Sequence, residues 1–174
     1  MLKFTQPNLQ TFLKLYWKQQ PSVIRQALPV SDDILTGDEL AGLALEAEIE
    51  SRLVIENHAQ WQLMTGPFAE EDFSKLPASN WTLLVQGVDR ILPEVAELVK
   101  NFNFIPRWRF DDVMVSYAPT GGSVGPHYDN YDVFLYQARG SRQWSLTTQN
   151  CNKENYLEDT ELRIMRDFEV ETQY

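Results

Sequence analysis

The last third of the sequence constrains the fold most. Three runs rich in Val, Tyr, Phe and Trp, at residues 112–118, 131–138 and 142–148, are separated by glycine turns at Gly121-Gly122 and Arg139-Gly140. β-Branched and aromatic side chains suit a pleated, half-buried surface, and glycine-bearing dipeptides suit reversals. The spacing predicts antiparallel β-structure. Residues 151–174 are polar and rich in charge, and Leu162, Ile164 and Phe168 within them predict the start of one more strand. A sheet of three or four strands leaves an open edge, which folded proteins cover or pair. The sequence therefore predicts either a cover for that edge or a longer product.

The upstream texture differs. Leu9, Phe12, Leu13, Tyr16 and Trp17 recur at i, i+3, i+4, i+7 and i+8 within residues 8–18, which is one apolar face of a helix. Gln20-Pro21 stops it, and residues 22–25 predict a short strand. Thr36 and Glu39 form a T-x-x-E capping box ahead of Leu40, Leu43, Ala44 and Ala47, predicting a second helix. Residues 49–56 and 60–64 predict two strands of a hairpin around Asn57-His58-Ala59. Residues 81–88 are an apolar run that periodicity leaves open as a buried strand or an apolar helix. Pro93 suits the first turn of a helix running to about Phe102. There is no internal repeat and no flexible linker. The fold class expected is α+β, with N-terminal helices and strands leading into β-structure.

The 174 residues suffice for one compact domain burying roughly 70% of its unfolded surface. Five Trp, seven Tyr and nine Phe predict an aromatic core or a pocket lined by rings. A single cysteine, Cys151, excludes an internal disulfide and a multi-thiolate metal site. No run approaches the roughly 18 apolar residues of a membrane span, and the first ten residues lack the apolar core of a signal peptide. A soluble cytoplasmic protein is the expectation. The net charge of −10, from 25 acidic and 15 basic residues, disfavours direct nucleic-acid binding, which needs a clustered basic face. An acidic surface suits either plain solubility or the steering of a basic protein substrate.

The chemistry lies in residues 121–132. In extended chain, residues i and i+2 point to the same face, so His127 and Asp129 project together. An imidazole and a carboxylate on one face are two corners of the facial triad of non-haem Fe(II) oxygenases. The alternative for H-x-D is a surface turn in which Asp caps a backbone amide. Gly125-Pro126 suits a tight entry where backbone passes close to a ligand. Arg142 alternates with Trp144 and Leu146 in an apolar run, and its planar guanidinium is a fitting partner for a distal carboxylate. Ser116 can add a hydroxyl to the same anion. The bland alternatives are a solvent-facing edge arginine and a half-exposed strand serine.

These residues resemble a known family. The run from Asp111 through Asp112, Val113, Met114, Val115 and Ser116 is followed by Gly121-Gly122, by Val124-Gly125-Pro126-His127, by Asp129, by Tyr131-Asp132-Val133-Phe134, and by Gly140, Arg142 and Trp144. Together they resemble the bacterial Jumonji-C ribosomal oxygenases, also described as cupin-4 proteins. The N-terminal half is similar too, at Tyr16-Trp17, at residues 38–44 and 50–54, at Gly66-Pro67-Phe68 and at residues 80–86. The resemblance covers essentially the whole chain. It implies an incomplete double-stranded β-helix (a cupin/Jumonji-C jelly roll), with residues 1–110 as an N-terminal α+β region and 111–174 as the first strands of the β-helix core.

The resemblance further implies an Fe(II)- and 2-oxoglutarate-dependent hydroxylase of a ribosomal protein, similar to those that hydroxylate an arginine of a large-subunit protein. His127 and Asp129 match the iron ligands, and Arg142 and Ser116 match positions that contact 2-oxoglutarate. Full-length relatives are expected to be homodimers. The family supplies a second, distal histidine from a later strand, and no histidine follows Asp129 here. His58 is expected to be an exposed turn residue, and no spacing makes Glu169 or Glu171 a substitute. The chain thus resembles the N-terminal part of such an enzyme, inactive or impaired by itself. The competing readings are a catalytically silent module that binds a protein partner and, more remotely, a cupin-like metal isomerase or zinc protein.

Overall fold

The computed structural model describes residues 8–28, 34–58, 60–148, 153–158 and 162–174. The first helix, α1 (Leu9–Leu15), starts where Asn8 Oδ1 accepts the Thr11 N–H at 2.9 Å. It buries Phe12 and ends at Tyr16, two residues short of the expected Lys18. Residues 22–25 form no strand, because no described segment pairs with them.

Helix α2 (Gly37–Leu43) has the predicted capping box. Thr36 Oγ1 accepts the Glu39 N–H at 3.2 Å, and Glu39 Oε2 accepts the Thr36 N–H at 2.8 Å. The Thr36 backbone N–H, then its hydroxyl, holds the Glu39 carboxyl below its ordinary value of 4.5. A depressed folded value means that this stabilisation is fully present above pH 4.5 and is lost as pH falls through the lower folded value. Urea unfolding is therefore expected to weaken below pH 4.5, with Glu39→Gln removing that part of the pH dependence.

Strands β1 (Ser51–Asn57) and β2 (Gln60–Thr65) form the predicted antiparallel hairpin, in register from Arg52 opposite Thr65 to Asn57 opposite Gln60. Ala59 lies outside the described residues; His58 beside it has a left-handed φ of 50°. A short helix, α3 (Glu70–Ser74), has no counterpart in the sequence expectations, and its Asp72 carboxylate accepts the Ala69 N–H.

The open choice at residues 81–88 resolves to a strand, β3 (Trp81–Val85), followed by a 3-10 turn at Val88–Arg90. Helix α4 (Pro93–Val99) has Pro93 in its first turn, as expected, and continues as a 3-10 turn through Phe102. Strand β4 (Val115–Tyr117) is shorter than the predicted 112–118. Asp112 instead accepts the Gly87 N–H at 2.7 Å, and the Val113 N–H goes to Asp89 at 2.8 Å. These four strands make one antiparallel sheet in the order β2-β1-β3-β4.

Residues 131–138 were predicted as a strand, and the structure corrects this. They alternate, with Phe134 and Tyr136 half-buried and Val133 and Leu135 exposed, yet no described segment provides a ladder partner. The run at 142–148 reduces to β5 (Ser145–Leu146), paired antiparallel with β6 (Thr172–Gln173). Around Leu162, Ile164 and Phe168 the structure forms an isolated bridge between Tyr156 and Met165 rather than a strand. The architecture is thus mixed helix and antiparallel sheet.

The main core joins α2 to the sheet through Leu40, Ala44, Leu53, Phe68, Leu83, Val85, Val88 and Val95. A second cluster accounts for much of the aromatic content. Phe134 stacks on Trp17 at 5.4 Å and lies 4.8 Å from Phe102, with Phe12 and Phe104 around it. This cluster ties α1 to the chain immediately after the H-x-D pair. The ring contacts add dispersion and favourable quadrupole geometry to the buried area. Among the described residues no helix is long and apolar enough to cross a membrane.

Candidate metal centre

The site is carried by the loop that leaves β4. Its first part lies against β3: the Asn80 N–H donates to Thr120 O, and Thr82 Oγ1 donates to Ser123 O at 3.2 Å. Gly121 takes φ 76°, and a Cβ there would overlap the Asn80 side chain. The second part lies against residues 164 and 165. Gly125 takes φ 75° with its open Cα against Ile164, and the Met165 N–H donates to Pro126 O at 2.7 Å. The loop is therefore gripped from both sides immediately before His127.

His127 and Asp129 come together, with Nε2 to Oδ2 at 3.7 Å and each side chain a little over one-third exposed. His127 Nδ1 lies 2.8 Å from the Gly125 carbonyl oxygen. A carbonyl oxygen only accepts, so Nδ1 carries a proton there, and Nε2 is the ring nitrogen on the Asp129 side. This is the arrangement in which a backbone carbonyl fixes the tautomer of a metal-binding histidine. The donor set of one imidazole nitrogen and one carboxylate fits a divalent first-row metal such as Fe(II). The Tyr131 phenol is raised above its ordinary value, first by the Asp129 carboxylate and then by burial. Asp132 pairs with Lys18 at 3.7 Å, and Phe134 enters the aromatic cluster, so α1 also holds the exit from the pair.

Ser116 is exposed on β4, opposite Leu84. Arg142 is half-buried and lies just before β5 rather than within it. Among the described residues neither makes an ion pair or side-chain hydrogen bond, so the structure does not join them to the His127–Asp129 pair by a contact.

His58 is exposed in the hairpin turn, as expected. Glu171 is committed elsewhere: its carboxylate accepts from Thr147 Oγ1 and from the N–H and hydroxyl of Thr148, and the Thr148 bonds lower its pKa. Glu169 lies exposed in the same terminal stretch. Among the described residues no group of three His, Cys, Asp or Glu is placed to hold a metal. The sequence reading missed the supports from Thr82, Ile164 and Met165. The one available signal was an apolar pair, Ile164-Met165, inside a charged tail.

Residues 97–174 match the JmjC domain family. The chain is 38% identical over 169 residues to the ribosomal protein uL16 3-hydroxylase of Escherichia coli, a match spanning 94% of this chain and 45% of that protein. It is 44% identical over 138 residues to a probable ribosomal oxygenase of Haemophilus influenzae, spanning 79% of this chain and 34% of the relative. The chain thus spans less than half the length of these curated relatives. Among solved structures, the X-ray structure of E. coli ycfD superposes with a TM-score of 0.89 at 36% identity, covering 100% of this chain and 45% of that one. The structure of the E. coli ribosomal oxygenase YcfD in complex with cobalt and 2-oxoglutarate superposes with a TM-score of 0.68 at 41% identity, covering 72% and 34%.

Proposed function

We propose, from the match of residues 97–174 to the JmjC domain family, that the chain is part of an Fe(II)- and 2-oxoglutarate-dependent protein hydroxylase acting on an arginine of a large-subunit ribosomal protein. The observation that carries this reading is the His127–Asp129 pair, with Nε2 free of the Gly125 carbonyl and 3.7 Å from the carboxylate. His127 and Asp129 would hold the metal, whose role when loaded is to couple O2 and 2-oxoglutarate, released as succinate and CO2, to hydroxylation of a C–H bond. Arg142 would pair with the distal carboxylate of 2-oxoglutarate, aided by the Ser116 hydroxyl, since it meets no carboxylate among the described residues and a guanidinium suits such an anion. In this reading the chain divides into an N-terminal α+β region, 1–110, and the first strands of an incomplete double-stranded β-helix, 111–174.

The partner proposed is a ribosomal protein, in keeping with the name of the E. coli relative, a uL16 3-hydroxylase. A net charge of −10 would draw a basic protein of that kind by long-range attraction. The same charge argues against direct contact with nucleic acid, and the reading places the protein in the cytoplasm, with the complete enzyme a homodimer. The test is to incubate the protein with Fe(II), ascorbate, 2-oxoglutarate and an arginine-containing peptide of a large-subunit ribosomal protein. The expected result is succinate in step with one added oxygen atom on arginine, at a low rate for these 174 residues because, among the described residues, only two of the three metal donors a facial triad needs stand together. Peptide binding with no succinate from the 174-residue chain or the full gene product would favour a silent, partner-binding module instead.

A further inference from the structure

Gly125, Pro126 and His127 are held by a contact that the metal reading does not include. Ile164 is 2% exposed, and a methyl built on Gly125 would stand 2.9 Å from both its Cδ1 and its Cγ1. One residue on, the Met165 N–H takes the Pro126 carbonyl at 2.7 Å. Met165 is itself 4% exposed and is bridged to Tyr156, while Ile164 O accepts the Leu157 N–H. Arg166 N–H to Asn155 O and Asp167 N–H to Asn155 Oδ1 brace the same small unit. The unit is a braced base that turns the Ile164 side chain and the Met165 N–H to the site loop.

The consequence runs through a single carbonyl. Gly125 has a left-handed φ of 75°, and in that conformation its C=O reaches His127 Nδ1 at 2.8 Å. Pro126 fixes the next φ, so the peptide between the glycine and the histidine has little freedom to turn separately. Whatever holds Gly125 therefore holds the proton at Nδ1 and leaves Nε2 as the donor. We infer that Ile164 is a positioning residue for His127: by packing on the bare Cα of Gly125 it keeps the Gly125 carbonyl on Nδ1, and so selects the tautomer whose Nε2 faces Asp129. The inference extends the proposed metal reading, since it explains how that donor is presented, but its direct consequence is visible without metal.

The chain has two histidines, so long-range 1H–15N spectra of the metal-free protein at mildly alkaline pH contain two imidazole patterns. His58→Ala assigns them. The wild type is expected to show His127 as the Nδ1–H tautomer. Ile164→Ala is expected to shift it to a mixture and to weaken Co(II) binding about tenfold or more, in the range measured for lost supports of metal ligands. Ile164→Val keeps two of the three atoms that face Gly125 and is expected to retain the wild-type pattern. Neither Gly125 nor Ile164 belongs to the main core, so the sheet is expected to survive. If Ile164→Ala proves unfolded by circular dichroism, Gly125→Ala tests the same contact from the other side, with the same tautomer mixture expected. Retention of the Nδ1–H tautomer in the folded variants overturns the inference, whatever the metal does. A tautomer mixture with Co(II) affinity unchanged upholds it and overturns the metal reading alone.

Discussion

Replacing His127 with alanine is expected to remove Fe(II) or Co(II) binding from the chain. The wild-type affinity is itself expected to be modest. Two donors two residues apart on one loop leave a facial set incomplete among the described residues. Losing the imidazole leaves one carboxylate, which binds no better than the many others on a chain with 25 acidic residues. The loss should exceed the roughly 100-fold upper range seen when only an outer support of a ligand is removed. Stability should change little, within about 0.5 kcal/mol, because the His127 side chain is more than one-third exposed and its hydrogen bond to Gly125 is local. Calorimetric titration with Co(II) decides the point. Equal binding by His127→Ala would place the metal elsewhere, and tight stoichiometric binding by the wild type would mean that a third donor is present.

Gly122→Ala is expected to be the most damaging single-methyl addition in the site loop. The new Cβ would overlap the Trp81 carbonyl oxygen and stand 2.7 Å from Ala118 Cβ and 3.1 Å from Pro119 O. Two of these three obstacles are backbone. Trp81 belongs to β3, whose register with β1 places it opposite Ile55 inside the four-stranded sheet, so it cannot retreat without breaking the ladder. The loop must lift instead, and the Thr82–Ser123 and Asn80–Thr120 hydrogen bonds go with it. Overpacking of this kind costs about 3 kcal/mol. Urea midpoints should fall accordingly, and Co(II) binding should weaken with them because the loop continues into His127. Gly42→Ala is the control: its Cβ meets nothing within 4 Å on helix α2, so up to about 1 kcal/mol of added stability is expected from helix propensity. A midpoint unchanged in Gly122→Ala would show that the loop is not seated on β3.

What the sequence by itself determined is what depends on neighbours along the chain. Asn8 with the apolar spacing of Leu9, Phe12 and Leu13 specifies α1, and Thr36 with Glu39 specifies the start of α2. The turn at His58 sets the β1–β2 register, and Pro93 opens α4. The i, i+2 spacing predicts His127 and Asp129 on one side, and their side chains lie 3.7 Å apart on a loop rather than a strand. Caps, turns and i, i+2 placement are settled within a few residues, so their causes can be read in order.

Tertiary structure decided the rest. Apolar periodicity says that residues 81–85 and 131–138 each have a face to bury, but a strand exists only where another segment supplies its hydrogen bonds. Residues 81–85 found β1 and β4 on their two sides, whereas 131–138 found an aromatic cluster for Phe134 and no described ladder. The support of the His127–Asp129 pair is of the same kind. That Ile164, 39 positions beyond Gly125, rests on its bare Cα is a matter of where two distant segments meet. Nothing local to either segment encodes it, and through the Gly125 carbonyl that meeting decides which nitrogen of His127 is free.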